Sequence, residues 1–203
     1  MADHSNAPAP WHSGETFIQR KLGVAERMDA VGKRVVRDFM PDQHRDFYAQ
    51  LPFIVLGSVD GQGDAWAGVL EGQAGFMASP TPTTLDIAAR PQADDPVAQG
   101  MGEGAALGLL GIELHSRRRN RMNGVVVAGG KGLRVAVGQS FGNCPRYIQQ
   151  RDFTFARDPA APFAATVEQL PALDAGARAV IEGADTFFVA TYADVEGQRQ
   201  VDV

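Results

Sequence analysis

"PFIVLGSVDGQGDAWAGVLEG", residues 52–72, is an apolar run, a break rich in glycine and aspartate, and a second apolar run. Aromatic and β-branched residues suit a pleated, half-buried surface, and Asp-Gly pairs adopt the backbone angles of tight reversals, so a β-hairpin is expected here. The same grammar repeats outward from it. "GFMAS" (75–79) reads as a third strand, and "SPTPTTLDIAAR" (79–90) as a loop leading into a short strand or helical turn. After the polar connection "PQADDPVAQGMGEG" (91–104) come "ALGLLGIEL" (106–114), "RMNGVVVAGG" (121–130) and "LRVAVGQSFG" (133–142), all short strands punctuated by glycine. Turn signals roughly ten residues apart predict a closed antiparallel barrel of about six strands rather than a parallel sheet. Its filling is expected from Phe53, Val55, Val69, Leu107, Leu109, Val125, Val127, Val135 and Val137.

Helices flank this β-rich stretch. Phe17, Ile18, Leu22, Val24, Met28, Val31 and Val35 recur at mostly helical spacing, predicting one or two helices over 14–38, with Ser13 as the cap. "PDQHRDFYAQL" (41–51) reads as a short helix opened by Pro41. The division expected is a flexible tail over 1–13, a helical layer over 14–50 packed outside the barrel, and a barrel domain over 51–150. Residues 151–203 then hold a linker, a helix and a hairpin. "CPRYIQQRDF" (144–153) is expected to be a short helix capped by Asn143, and a longer one to run from near Asp174 to Gly183.

Laid without gaps on residues 52–69, residues 186–203 match at Phe53/Phe187, Val55/Val189, Asp60/Asp194, Gly63/Gly197 and Val69/Val203. Both segments read as strand, Asp/Gly turn, strand, which points to a duplicated unit. The hairpin over 185–203 is therefore expected to open a second barrel, cut off after its first hairpin, with the chain stopping short of a natural end. A lone two-stranded hairpin is marginal in water, so its apolar side should pair with a sheet edge in its own barrel or in a partner chain, making a homodimer.

Composition excludes several classes. The chain has 203 residues, 44% hydrophobic and 21% charged, with a formal net charge of -5. No apolar run approaches the roughly 20 residues that cross a bilayer. "MADHSNAPAP" (1–10) lacks the basic start and apolar core of a signal peptide, and the single Cys144 suits a reducing compartment, so a cytoplasmic protein without membrane contact is expected. Net acidity argues against nucleic-acid binding, which needs a broad basic face.

Against that background "RRRNR" (117–121) stands out. On a strand, alternation places Arg117, Arg119 and Arg121 on one face and Arg118 and Asn120 on the other. Guanidinium forks hold phosphates bidentately, so an anionic ligand is one reading. Pairing with Glu113, Asp86, Asp94 or Asp95 is the other, and the sequence leaves both open. Cys144 likewise reads as a thiol activated at a helix start or as an inert packed residue. His4, His12, His44 and His115 show no metal-ligand spacing, and "GGKG" (129–132) reads as a hairpin turn.

The series "HSGE" (12–15), "RDFMPDQHRDFYAQLPF" (37–53), "RRRNRMNG" (117–124) and "QSFGNCPRYIQ" (139–149) resembles the pyridoxamine 5'-phosphate oxidase-like family, in particular a flavin-nucleotide-binding subgroup. The resemblance implies a split antiparallel β-barrel with flanking helices that binds FMN, usually as a homodimer, as an FMN-dependent oxidoreductase or the flavin domain of one. It also implies a ferredoxin-reductase-type redox module as a partner. In the family, basic side chains of the second and third strands and the turn after them hold the phosphate. After the third strand this chain offers Thr83, Thr84, Leu85 and Asp86 instead of a basic anchor. The arginines could supply what is missing, so the candidate flavin contacts are Arg117, Arg119, Arg121, Asn123, Ser79, Thr83, Thr84 and Asn143, with no catalytic residue implied. Where many relatives have basic residues beside the second strand, this chain has Trp66 and Glu71. The alternative is a non-catalytic dimerisation or packing module that has lost its phosphate contacts. Haem handling, known in some split barrels, lacks a persuasively placed histidine here.

Overall fold

A computed structural model describes residues 10–127, 132–159, 161, 168–195 and 197–203. The expected turn at 129–132 thus lies almost wholly outside the described residues, as do most of the tail and part of the linker. Helices α1 (Ser13–Lys21), α2 (Ala25–Val35) and α3 (Asp42–Gln50) come first. Strands β1 (Phe53–Val59), β2 (Ala65–Glu71), β3 (Met77–Thr81) and β4 (Thr84–Ile87) follow, then a one-turn helix α4 (Pro96–Gln99). Strands β5 (Ala106–Glu113), β6 (Arg118–Val127) and β7 (Leu133–Asn143) complete the main sheet, and α5 (Ala175–Gly183), β8 (Thr191–Val195) and β9 (Gln198–Asp202) end the chain.

The seven strands β1–β7 form one antiparallel sheet in the order β2-β1-β5-β6-β7-β4-β3. Laid flat, its edges would stand about 29 Å apart at about 4.8 Å per strand. Yet Leu70 of edge strand β2 and Met77 of edge strand β3 belong to one buried cluster with Leu56, Leu85, Leu109, Met122 and Val135. The sheet therefore curls around a single core. Residues 72–76 link the two edge strands, and among the described residues no ladder connects β2 to β3. The protein is a split antiparallel β-barrel with flanking helices, open along one seam rather than closed.

Three strands present the face opposite to the one expected. On β1 the core takes Ile54 and Leu56, while Val55 is fully buried on the outer side with Leu110, Ile112 and Val203. On β6 it takes Met122 and Val126, leaving Val125 exposed and Val127 outside the core, and on β2 it takes Leu70, leaving Val69 exposed; Phe53 packs against the outer cluster. Strand side chains alternate, so a one-residue error in phase exchanges a strand's whole inner set for its outer one. Leu107, Leu109 and Val135 do fill the core, and Val137 packs against it.

Helix α3 is no outer layer. Phe47 and Tyr48 are fully buried in the core cluster with Leu51, and a Cβ on Gly111 of β5 would strike all three side chains. The C-terminal hairpin β8–β9, with strands paired from Thr191↔Asp202 to Val195↔Gln198, lies across the outer face of β5, β1 and β6 instead of adding to a sheet edge. The N-terminal cap is His12 rather than Ser13: its Nδ1 accepts from the amides of Gly14 and Glu15, and Glu15 Oε2 accepts from the His12 amide. Within the expected tail, Trp11 seats its ring over Gly32 and donates from Nε1 to the Met28 carbonyl.

Candidate anion-binding site

The site is built on the start of β6. Arg117 lies before the strand, in the turn from β5, with a left-handed φ of 58°. From Arg118 the alternation holds: Asn120, Met122 and Val126 face inward, and Arg119, Arg121 and Asn123 face out. Arg118, at the inner rim, stacks its guanidinium over the Phe47 ring, 5.0 Å from the centroid. The β6–β7 ladder slips between Asn123 and Gly124, where a Cβ would stand 2.2 Å from the Ala136 carbonyl oxygen. Only glycine fits that approach.

Arg117, Arg118 and Arg119 border a cavity of about 290 Å³ with Gln43, His44 and Asn143. Among the described residues no carboxylate lines it. Arg119 donates from Nη2 to Asn143 Oδ1 (3.2 Å) and to the Cys144 carbonyl (2.7 Å). Asn143 Oδ1 also accepts from the Cys144 amide at 2.9 Å. Asn143 therefore caps a turn, not a helix; residues 144–150 form no helix, and Cys144 is exposed and unpaired. Burial, and then the nearby positive charge of Arg121, lower the Arg119 pKa.

Three of the four carboxylates that could have neutralised the cluster are engaged elsewhere. Arg134 holds Asp86 bidentately at 2.6 and 2.7 Å, which keeps that carboxyl below its usual range. Asp95 caps α4, and Glu113 accepts from Gln50 Nε2 and from Ser116 Oγ. Among the described residues only Arg121 of the cluster meets a carboxylate, Asp202 of β9, at 2.6 Å. Three buried atoms on alternate residues of this face, Arg119 Nε, Arg121 Nε and Asn123 Oδ1, have no hydrogen-bond partner among the described residues. Such a group costs about 1–3 kcal/mol when left unpaired, so this stretch of β6 is polar at some expense in stability.

Ser79, Thr83 and Thr84 gather elsewhere, at the β3–β4 turn. Ser79 Oγ accepts from Arg45 Nε at 3.1 Å, and Thr84 Oγ accepts from Thr81 Oγ at 3.0 Å. The Thr83 carbonyl accepts from the amide of Val137, six residues before Asn143 in β7. At about 3.3 Å per residue that is about 20 Å along the strand, so one phosphate cannot touch both groups. Trp66 donates to Asp60 Oδ2, and Glu71 pairs with Arg157 beside a larger cavity, about 890 Å³, at the barrel's seam.

His44 belongs to the site without having been singled out as a ligand. It is buried on α3, with Nδ1 2.8 Å from Ser140 Oγ. Burial first, then Arg37 and Arg118, hold its pKa below the ordinary value. The signal was its position three and four residues before Phe47 and Tyr48, on the helix face that enters the core. Among the described residues no group of acidic, His and Cys side chains could hold a metal ion, and no helix is long and apolar enough to cross a membrane.

No family model matches the chain, and no curated protein matches it. Two crystal structures of HupZ from Group A Streptococcus resemble it. One, a histidine-to-alanine variant, has 12% identity and a TM-score of 0.39, covering 51% of this chain and 99% of that one. The other has 10% identity and a TM-score of 0.40, covering 51% of this chain and 93% of that one. The fold assignment rests on the strand order and the shared core.

Proposed function

We propose that this chain is a flavin-nucleotide-binding split-barrel protein of the pyridoxamine 5'-phosphate oxidase-like kind, with the arginine cavity holding the phosphate of FMN. The supporting observation is that Arg117, Arg118 and Arg119 border one cavity with no carboxylate on its wall. Crowded like charges are unfavourable unless an anion balances them, and a guanidinium fork matches phosphate geometry. In this reading Arg117 and Arg119 bind the phosphate, Asn143 positions Arg119, and Arg121 and Asn123 lie next along the same face. Bound FMN would supply one- and two-electron redox chemistry, the protein supplying orientation and electrostatics. An oxidoreductase role, with electrons exchanged with a ferredoxin-reductase-type module, belongs to the same proposal. So does a homodimer, which would cover exposed apolar side chains such as Phe17, Ile18 and Leu22 of α1.

The test compares FMN with riboflavin, which lacks the phosphate. Protein from cells should be yellow and release FMN in acid, FMN should bind more tightly than riboflavin, and Arg119→Ala should narrow that difference about tenfold to a hundredfold. One observation favours a second reading, a packing module without flavin: Asp202 already occupies Arg121. That reading expects colourless protein, no flavin binding, and an Arg119→Ala variant altered only in stability.

A further inference from the structure

We propose that His44 is a further cation of the anion site, taking up a proton when a dianion enters the cavity; this rests on the reading of the cavity as a phosphate site. The geometry carries it. His44 borders the same cavity as Arg117, Arg118 and Arg119. Its Nδ1 is tied to the buried Ser140 Oγ at 2.8 Å, and its other ring nitrogen has no protein partner among the described residues. Protonated, the ring is a donor at both nitrogens: Nδ1–H can donate to Ser140 Oγ, which leaves a second N–H for a ligand.

The charged groups around the ring explain why the proton depends on the anion. Arg37, from the segment between α2 and α3, and Arg118, from β6, both disfavour the imidazolium. Arg117 and Arg119 add positive charge on the cavity wall, β7 contributes only the neutral Ser140 and Asn143, and no carboxylate lines the space. With the cavity free of anion, a proton on His44 would join a group of cations. A dianion among these guanidiniums reverses the sign of the local field and favours the charged ring. Linkage makes the effect reciprocal: the factor by which protonation strengthens anion binding equals the factor by which the anion strengthens proton binding.

Inorganic sulfate is the right probe, because it stays dianionic from pH 5.5 to 8 whereas a phosphomonoester titrates near pH 6 and would mask the effect. Its affinity for the full chain is measured by calorimetry at constant ionic strength across that range, and the His44 ring proton is followed by NMR with and without sulfate. The expected result is binding about tenfold tighter or more at pH 5.5 than at pH 8, with the His44 titration midpoint raised by saturating sulfate. His44→Asn, whose amide can keep the bond to Ser140 but cannot titrate, should bind sulfate with a flat pH profile. Sulfate binding that is equally strong at both pH values, with an unmoved His44 midpoint, overturns the role of His44 and leaves the phosphate site standing. Absence of sulfate binding at every pH, together with absence of FMN binding, overturns both.

Discussion

Gly57 of β1 and Gly108 of β5 stand directly opposite each other in the sheet, and both are overlain by the C-terminal segment. A Cβ on Gly108 would lie 2.8 Å from Asp202 Cα, and one on Gly57 would lie 3.2 Å from Val203 Cβ. The pair forms a smooth bed on the barrel's outer face, on which Val203 reaches Val55, Leu110 and Ile112.

Gly108→Ala should therefore lift the hairpin, because the obstructing atoms are backbone and cannot rotate aside. A loss of about 1–3 kcal/mol in thermal or denaturant unfolding is expected, with faster proteolysis within residues 185–203. Gly57→Ala would meet Val203 Cβ, Ala190 Cβ and the Asp202 carbonyl oxygen at 3.2–3.3 Å, tight but less overlapping than at Gly108, and should cost less. Equal costs for the two variants would contradict the docking described.

Arg119 and Arg121 should separate in their effects. Arg119 has no carboxylate partner, so Arg119→Ala should weaken FMN binding by about tenfold to a hundredfold, from one charge-assisted bond of about 1.5–3 kcal/mol, with little change in melting temperature. Arg121 pairs with Asp202, but the side chains are 25% and 41% exposed, so that ion pair contributes about 0–1 kcal/mol at most. Arg121→Ala should loosen the hairpin slightly, read as hydrogen exchange in β9. Flavin titrations and melts of both variants beside the parent check this.

His44 makes stability fall in mild acid. Its pKa in the folded protein is depressed below the ordinary value of 6.5, so the unfolded chain binds the proton more readily. The stability it allows is fully present above about pH 6.5 and is lost as pH drops from there through the folded value. Melts in chloride buffer should show the decline between about pH 7 and 5, and His44→Asn should reduce it. An identical decline in the variant would assign the effect to other groups.

Phe47 tests whether α3 belongs to the core. Its ring is fully buried against Tyr48 with centroids 5.5 Å apart and carries the Arg118 guanidinium at the rim. Phe47→Ala should cost about 3–5 kcal/mol, whereas Phe47→Leu, which keeps most of the volume, should cost much less. Denaturant midpoints of both variants measure this. A small loss in Phe47→Ala would mean that the helix is peripheral.

Most of the strands, the helices at 13–35, 42–50 and 175–183, and the concentration of positive charge at the start of one strand were legible in the sequence, because each depends on neighbours within a few residues; the order of the strands in the sheet was not. The faces of β1, β2 and β6 were not legible either. β1 is apolar on both sides, since Val203, from nearly 150 positions away, covers the side that would otherwise have been polar, and this removed the alternation that fixes phase. On β6, the slip in the ladder at Asn123/Gly124 and the close approach at Gly124 depend on β7. Tertiary structure alone divided the arginines, because Asp202 reaches Arg121 from 81 residues away while the carboxylates nearer in sequence found other partners. It alone placed His44, too. Helical spacing shows that His44 shares a face with Phe47 and Tyr48, but which cavity that face meets depends on how the sheet curls around it.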